Sequence, residues 1–183
     1  MMLKRTRRGW TYRDYCAIPD DGQRYEVIWG ELYVAPSPSR GHQRSAGKLF
    51  TILDRHVTEH GLGEVYIAPF DVVLDEENVV QPDLLFVSKE RLDIITEANI
   101  RGAPDLVVEV LSRSTAALDR SQKWDLYAAA GVPHYWLVDP VAHTLEAYIR
   151  EGGDYRLADR RTHHEVFSPA LFPGLDIPLA SVW

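Results

Sequence analysis

Cysteine is nearly absent from this sequence: Cys16 stands alone among 183 residues. That excludes an internal disulfide and a multi-thiolate metal centre, and makes a free, reduced thiol the expectation. Long apolar runs are missing too. No stretch approaches membrane-spanning length, and the basic residues Lys4, Arg5, Arg7 and Arg8 lead into Gly9-Trp10-Thr11-Tyr12-Arg13-Asp14, not into the apolar segment of a secretory leader. A cytoplasmic protein with no membrane partner is expected. Positive charge is scarce, with 20 Lys and Arg against 27 Asp and Glu and a net charge of -7. This argues against a general nucleic-acid coat, whose affinity comes from neutralising phosphates. It does not exclude an enzyme acting on nucleic acid, because acids gathered around a divalent cation add negative charge without facing phosphates bare. Basic patches for such a role are the N-terminal arm, Arg113 with Arg120, and Arg160 with Arg161.

Repeats, low-complexity tracts and linker-like stretches are also lacking, so one domain over residues 1–183 is expected. Residues 1–20 would form an N-terminal arm, and 140–183 a C-terminal hairpin and tail packed on the domain. The 45% hydrophobic content suits a sizeable core. Residues 25–34 read as two short strands about Gly30, broken by Pro36-Ser37-Pro38-Ser39-Arg40-Gly41. Ala46, Leu49, Phe50, Leu53 and Val57 recur at helical spacing, which predicts a helix from about His42 that Gly61 stops. Residues 70–74 and 79–87 flank the turn-forming Asp75-Glu76-Glu77-Asn78 and read as a hairpin, followed by a variable connection over 89–103. Ser112, Ser114 and Thr115 offer N-caps for a helix running to about Ala130, with Gly131 as its C-cap. Residues 134–139 return as a strand, and 144–149 with 155–158 suggest a late hairpin about Gly152-Gly153. The order is mixed α/β.

Glu109 is the one charge in the strand-like run Leu106-Val107-Val108-Glu109-Val110-Leu111. A buried carboxylate is costly unless something pairs or coordinates it. A second strand-like run opens with Asp83 in Gln81-Pro82-Asp83-Leu84-Leu85-Phe86-Val87, and a downstream helical segment offers Lys123. Taken singly, Asp83 reads as a turn or cap residue, Glu109 as a residue on an exposed strand face, and Lys123 as a solvated partner of Asp119 one turn away. Taken together they suggest a metal-dependent phosphodiesterase, with Asp83 and Glu109 holding a hard cation such as Mg²⁺. Lys123 would orient water or stabilise developing negative charge. Two competing patterns carry less. His56-Val57-Thr58-Glu59-His60 spells an inverted zinc-peptidase sequence, but histidines in a last helical turn are favoured without metal. A two-carboxylate glycosidase lacks an aromatic sugar-binding pattern near Glu109.

The fragments Pro82-Asp83, Pro104-Asp105-Leu106-Val107-Val108-Glu109-Val110-Leu111-Ser112, then Asp119, Lys123, Tyr127, Gly131-Val132 and Tyr135-Trp136-Leu137-Val138-Asp139, resemble the Uma-two family of endonuclease-like proteins. The likeness extends to Tyr25-Glu26-Val27-Ile28 and to Phe172-Pro173-Gly174-Leu175. It implies membership of the PD-(D/E)xK nuclease superfamily: a restriction-endonuclease-like central mixed β-sheet flanked by α-helices and a site dependent on Mg²⁺, or on Mn²⁺ in its place. Asp83 and Glu109 match the two acids of that pattern. Its lysine would stand two residues after the second acid, where this chain has Leu111, and Lys123 on the next helix occupies the substituting place. The resemblance further implies the Val110 carbonyl as a metal ligand, Glu26 as an early acid assisting the metal or its waters, and His42 near phosphate or water. The implied protein is an endonuclease acting on DNA as a homodimer. The alternative is a catalytically weak or inactive nuclease fold serving as a nucleic-acid-binding or assembly module.

Overall fold

Two large β-sheets, where the sequence suggested one, organise the computed structural model, which describes residues 9–183. The basic arm at Lys4, Arg5, Arg7 and Arg8 lies outside the described residues. The chain opens with a short helix, α1 (Tyr12–Cys16), and the hairpin β1 (Arg24–Ile28) and β2 (Glu31–Ala35). Trp29 and Gly30 turn that hairpin with φ of 52° and 71°. Then come α2 (Arg40–His60), β3 (Gly63–Ile67), β4 (Asp71–Asp75), β5 (Asn78–Val80) and β6 (Leu84–Ser88). A 3-10 helix over Lys89–Ile94 leads to β7 (Asn99–Arg101) and β8 (Leu106–Val110). Two helices, α3 (Ala116–Asp119) and α4 (Gln122–Ala130), precede β9 (His134–Asp139), β10 (Thr144–Glu151) and β11 (Asp154–Thr162). The minor pair β12 (Val166–Phe167) and β13 (Ile177–Pro178) ends the strand content.

One sheet has the order β2-β1-β5-β4-β7, the other β11-β10-β9-β8-β6-β3. The second is mixed: β8 and β9 run parallel, while β8 pairs antiparallel with β6. Side chains alternate across each strand, so each sheet has two faces to cover. On one face of the six-stranded sheet, Leu106, Val108, Val110, Leu84, Phe86 and Trp136 pack against α2 and the C-terminal segment. α2 presents Leu49, Leu53 and Val57 at successive turns. It is capped by Ser39, whose side chain accepts from the His42 amide, and is ended by Gly61 at φ 62°.

On the opposite face, Val107, Leu111, Leu85, Val87 and Tyr135 meet α4 and the inner side of the five-stranded sheet, represented by Ile28, Val72 and Val80. The outer side of that sheet, Val27, Val73 and Val79, is covered by Trp10, Tyr12 and Tyr15.

Four local expectations change. Residues 79–87 are not one strand: β5 and β6 belong to different sheets, and the chain crosses between them at Gln81-Pro82-Asp83, where Pro82 has no N–H to continue a ladder. The helix expected to run unbroken to Ala130 is interrupted between Asp119 and Gln122, with Ser121 at φ -129° and ψ -85°. The connection over 89–103 contains β7, which pairs parallel with β4. The late hairpin extends the main sheet as its β10-β11 edge instead of merely packing on it.

Leu53 is fully buried between α2 and the six-stranded sheet. Leu53→Ala is therefore expected to cost about 2–5 kcal/mol, read as a lower urea midpoint with an unchanged denaturant slope.

Candidate functional site

Strand register brings the two acids together. Leu84 pairs with Val108 and Leu85 with Val107, so one further step along the same antiparallel register sets Asp83 opposite Glu109. By alternation both share the face carrying Leu85 and Val107. Asp83 is fixed by its Oδ2, which accepts the Val110 amide at 2.8 Å and lies 3.0 Å from His42 Nε2. Its own carbonyl accepts the Ala68 amide. Val110, expected to contribute its carbonyl, thus also holds Asp83 through its amide. His42 is a buried neighbour of Asp83 at the first turn of α2, not a surface residue.

Glu26 is supplied by the other sheet. It shares the inward face of β1 with Ile28, and its Oε1 accepts the Gln81 amide at 2.8 Å. Although it lies in a hairpin, Glu26 is only 5% exposed.

Lys123 closes the arrangement from α4. Its Nζ lies 3.0 Å from Glu26 Oε1, 3.0 Å from Glu109 Oε1 and 3.8 Å from Asp119 Oδ1. Tyr127, one turn on, donates to the same Glu109 oxygen at 2.8 Å. Asp119, Lys123 and Tyr127 therefore converge on Glu109 even though a helix break separates the first from the others. Leu111, where the superfamily lysine would stand, is buried among apolar side chains. The ammonium beside Glu109 arrives from α4 in its place.

The cluster has more negative than positive charge: Glu26, Asp83, Glu109 and Asp119 are all buried, and Lys123 is the buried ammonium among them. Burial pushes the Glu109 carboxyl well above the usual carboxylate range. Lys123 opposes the rise, while Asp119, Asp83 and Glu26 reinforce it. Burial likewise raises Asp119 to about 6 against the pull of Lys123. For Lys123, burial acts to lower the ammonium, but Glu109, Glu26 and Asp119 outweigh it and hold the group well above its ordinary value. Tyr127 is held well above its ordinary value by burial and by Glu109, so it remains a neutral donor.

Glu26, Asp83, Glu109, Asp119 and Lys123 border a cavity of about 340 Å³. Its walls include the segment around Ser37 and Ser39 on one side and the loop from Ser112 to Thr115 on the other. The Ser112 hydroxyl contacts those of Ser114 and Thr115 at 3.0 and 2.9 Å and accepts the Thr115 amide. These hydroxyls thus brace their own loop.

Among the described residues, no group of three or more His, Cys, Asp or Glu side chains is arranged to hold a metal ion by itself, because Lys123 occupies the point between Glu26, Glu109 and Asp119. The donor set nonetheless suits a hard cation, which needs only one or two carboxylates and keeps waters as further ligands. Asp83 and Glu109 face the cavity from adjacent strands. Asp119 Oδ1 is buried without a hydrogen-bond partner, a further sign of unmet negative charge.

Asp119, read from sequence as part of the family-like pattern and as a helical partner of Lys123 but given no role of its own, joins the cluster through Lys123. The His56 and His60 pair lies elsewhere. His56 packs on Phe172, on the opposite side of the six-stranded sheet from Glu109, and His60 Nδ1 contacts the His56 carbonyl at 2.8 Å.

A carboxyl whose folded-state pKa is raised binds protons that the unfolded chain has released. Its contribution to stability is complete below the unfolded value near 3.8 and is lost as pH rises through about 6. In chelator, Asp119→Asn should therefore flatten the fall in unfolding free energy between about pH 4 and pH 7, measured by denaturant titration at each pH.

Comparison with known proteins agrees with this architecture. A crystal structure described as a putative nuclease belonging to DUF820, from Anabaena variabilis, superposes with a TM-score of 0.77 over 94% of this chain and 96% of that one, at 16% identity. At that identity the likeness establishes the fold, and the expected mixed α/β, nuclease-like architecture is borne out. Two uncharacterised proteins of Synechocystis sp. are 24% and 28% identical, over 83% and 75% of this chain and 87% and 75% of their own lengths. Residues 11–180 match the family described as Uma2, putative restriction endonuclease. That span takes in the hairpin with Glu26, both strands with Asp83 and Glu109, and the helix with Lys123, and the chain belongs to the Uma2 family.

Proposed function

We infer that this chain is a nuclease that hydrolyses phosphodiester bonds in DNA with the help of a divalent cation. One observation carries the inference: Asp83 and Glu109 stand across adjacent strands on one face, at a cavity, with the Lys123 ammonium 3.0 Å from Glu109. Mg²⁺, or Mn²⁺ in its place, would be held by Asp83, Glu109 and the Val110 carbonyl, and when bound supplies charge neutralisation at the phosphate and an activated water.

The chain's own groups do the positioning. The Val110 amide and His42 fix the orientation of the Asp83 carboxylate. Lys123 and Tyr127 both engage Glu109 Oε1, which leaves Oε2 as the oxygen for the cation. Lys123 keeps its proton throughout and offsets negative charge as the phosphate is attacked, the role expected of the lysine absent at position 111. Glu26 holds Lys123 from the second sheet and borders the cavity, where it can accept a hydrogen bond from water.

A second reading has its own observation: Leu111 is buried where the superfamily has its lysine. A nuclease fold used for binding or assembly would retain metal affinity without cleavage.

The deciding experiment incubates the purified chain with plasmid, linear, single-stranded and branched DNA in Mg²⁺, Mn²⁺ or chelator. Asp83→Asn and Glu109→Gln should each abolish metal-dependent cleavage while leaving the circular dichroism spectrum unchanged. Cleavage at the parent rate by Asp83→Asn would remove that acid from the site. Lys123→Ala is expected to lower kcat more than it lowers Mn²⁺ affinity measured by calorimetry; equal kcat would exclude it from the chemistry. Mn²⁺ binding without cleavage of any substrate would favour the binding module.

A further inference from the structure

A site rich in carboxylates repels the polyanion it is proposed to cut, so substrate must be held by cations elsewhere on the cavity wall. Most of the basic residues that the sequence offered for this are already committed. Arg120 and Arg160 both pair with Glu146, and Arg161 pairs with Asp159. Arg113 remains among them, and Arg24 stands with it. Arg24 and Arg113 line the same cavity as Glu26, Asp83, Glu109 and Lys123. Neither guanidinium makes an ion pair or a hydrogen bond with another described residue.

Their placement follows from the fold. Arg24 lies two residues before Glu26 in β1 and so projects from the same face of that strand, about 7 Å further along it. It is half-buried, which limits the directions its side chain can take. Arg113 lies on the opposite wall, in the loop that leaves β8 after Glu109. The Ser112 contacts to Ser114 and Thr115 fold that loop tightly on itself, leaving Arg113 exposed at the cavity. Two unpaired guanidiniums thus flank the buried acids, one contributed by each large sheet. Each presents a planar fork of donors suited to phosphate oxygens.

We propose that Arg24 and Arg113 grip the phosphates on either side of the scissile one, a two-point hold on the nucleic-acid backbone that places the bond to be cut over Asp83 and Glu109. This rests on the nuclease reading above and adds the residues that bind substrate. Because both contacts are to backbone, they position without selecting sequence. Arg24 comes with Glu26 from the five-stranded sheet and Arg113 with Glu109 from the six-stranded one, so the bound strand spans the junction between the two sheets.

The test measures binding of a short fluorescent oligonucleotide, single-stranded and duplex, in the Asp83→Asn background with Mg²⁺ present, across a salt series. Losing two phosphate contacts should reduce the slope of log affinity against log salt by about 1.4 for single strands and about 1.8 for duplex. Arg24→Gln with Arg113→Gln is expected to show that drop and to weaken binding at least tenfold at low salt. The corresponding lysine pair should keep the slope. Arg156→Gln, which removes a surface arginine paired with Glu151, should match the parent.

In the otherwise wild-type chain the glutamine pair should raise KM with kcat retained and Mn²⁺ affinity unchanged. A glutamine pair with the parental slope and KM, in a chain that does cleave, overturns the grip and leaves the nuclease reading standing. A parent chain that neither cleaves nor binds either oligonucleotide overturns both.

Discussion

The Lys123 ammonium is the contact on which the rest of the site depends. It draws together Glu26 from one sheet, Glu109 from the other and Asp119 from the helix before its own. Without a cation there, three buried carboxylates would face one another in a medium that screens them poorly. An ion set of this kind contributes little net stability, because desolvation offsets its attraction, but removing one partner is severe. Its effect is geometric: it fixes how two sheets and a broken helix meet. The excess of acids over this one ammonium is what makes the cluster receptive to a further cation or a proton.

The alternation of side chains across strands does the remaining positioning. Glu109 lies on the same face as Val107 and Leu111, so its carboxylate points between the sheets, not toward α2. A one-residue slip in the β6-β8 pairing would send Asp83 and Glu109 to the wrong sides. The apolar residues around them hold the register. Leu84, Phe86, Val108 and Val110 are committed to α2 and the C-terminal segment, and any slip would expose them. Core packing and acid placement are therefore one constraint seen from two faces of a strand.

Much of this was legible in the sequence. The charge at Glu109 in an apolar run, the acid after Pro82 and the lysine on the next helix all occupy one cluster, and Gly61 and Gly131 end their helices in left-handed conformation. What stayed hidden depended on contacts distant in sequence. Val79-Val80 and Leu84 to Val87 are apolar runs on either side of Gln81-Pro82-Asp83, and that short break does not by itself say that the two runs belong to different sheets. Asn99-Ile100-Arg101 becomes a strand only because β4 is there to pair with it. Glu26 was reached only through the family likeness, since the lysine that pairs with it is nearly a hundred positions away in the chain. Arg120, Arg160 and Arg161 looked like spare charge until the fold supplied their acids.

The crossing at Gln81-Pro82-Asp83 carries one more consequence. The Gln81 amide is bound by Glu26, its side chain donates to Asp71 and Tyr15, and Asp83 is bound by the Val110 amide and in turn binds that of Ala68. Two of these three residues are thus fastened, Gln81 to the five-stranded sheet and Asp83 to the six-stranded one. Asp83 and Glu109 face each other within the six-stranded sheet, and Glu26 joins them only where the five-stranded sheet is in place and this crossing is secured. A partly folded chain, with either sheet missing, has no assembled centre, so whatever chemistry the cluster supports is tied to the integrity of both sheets at once.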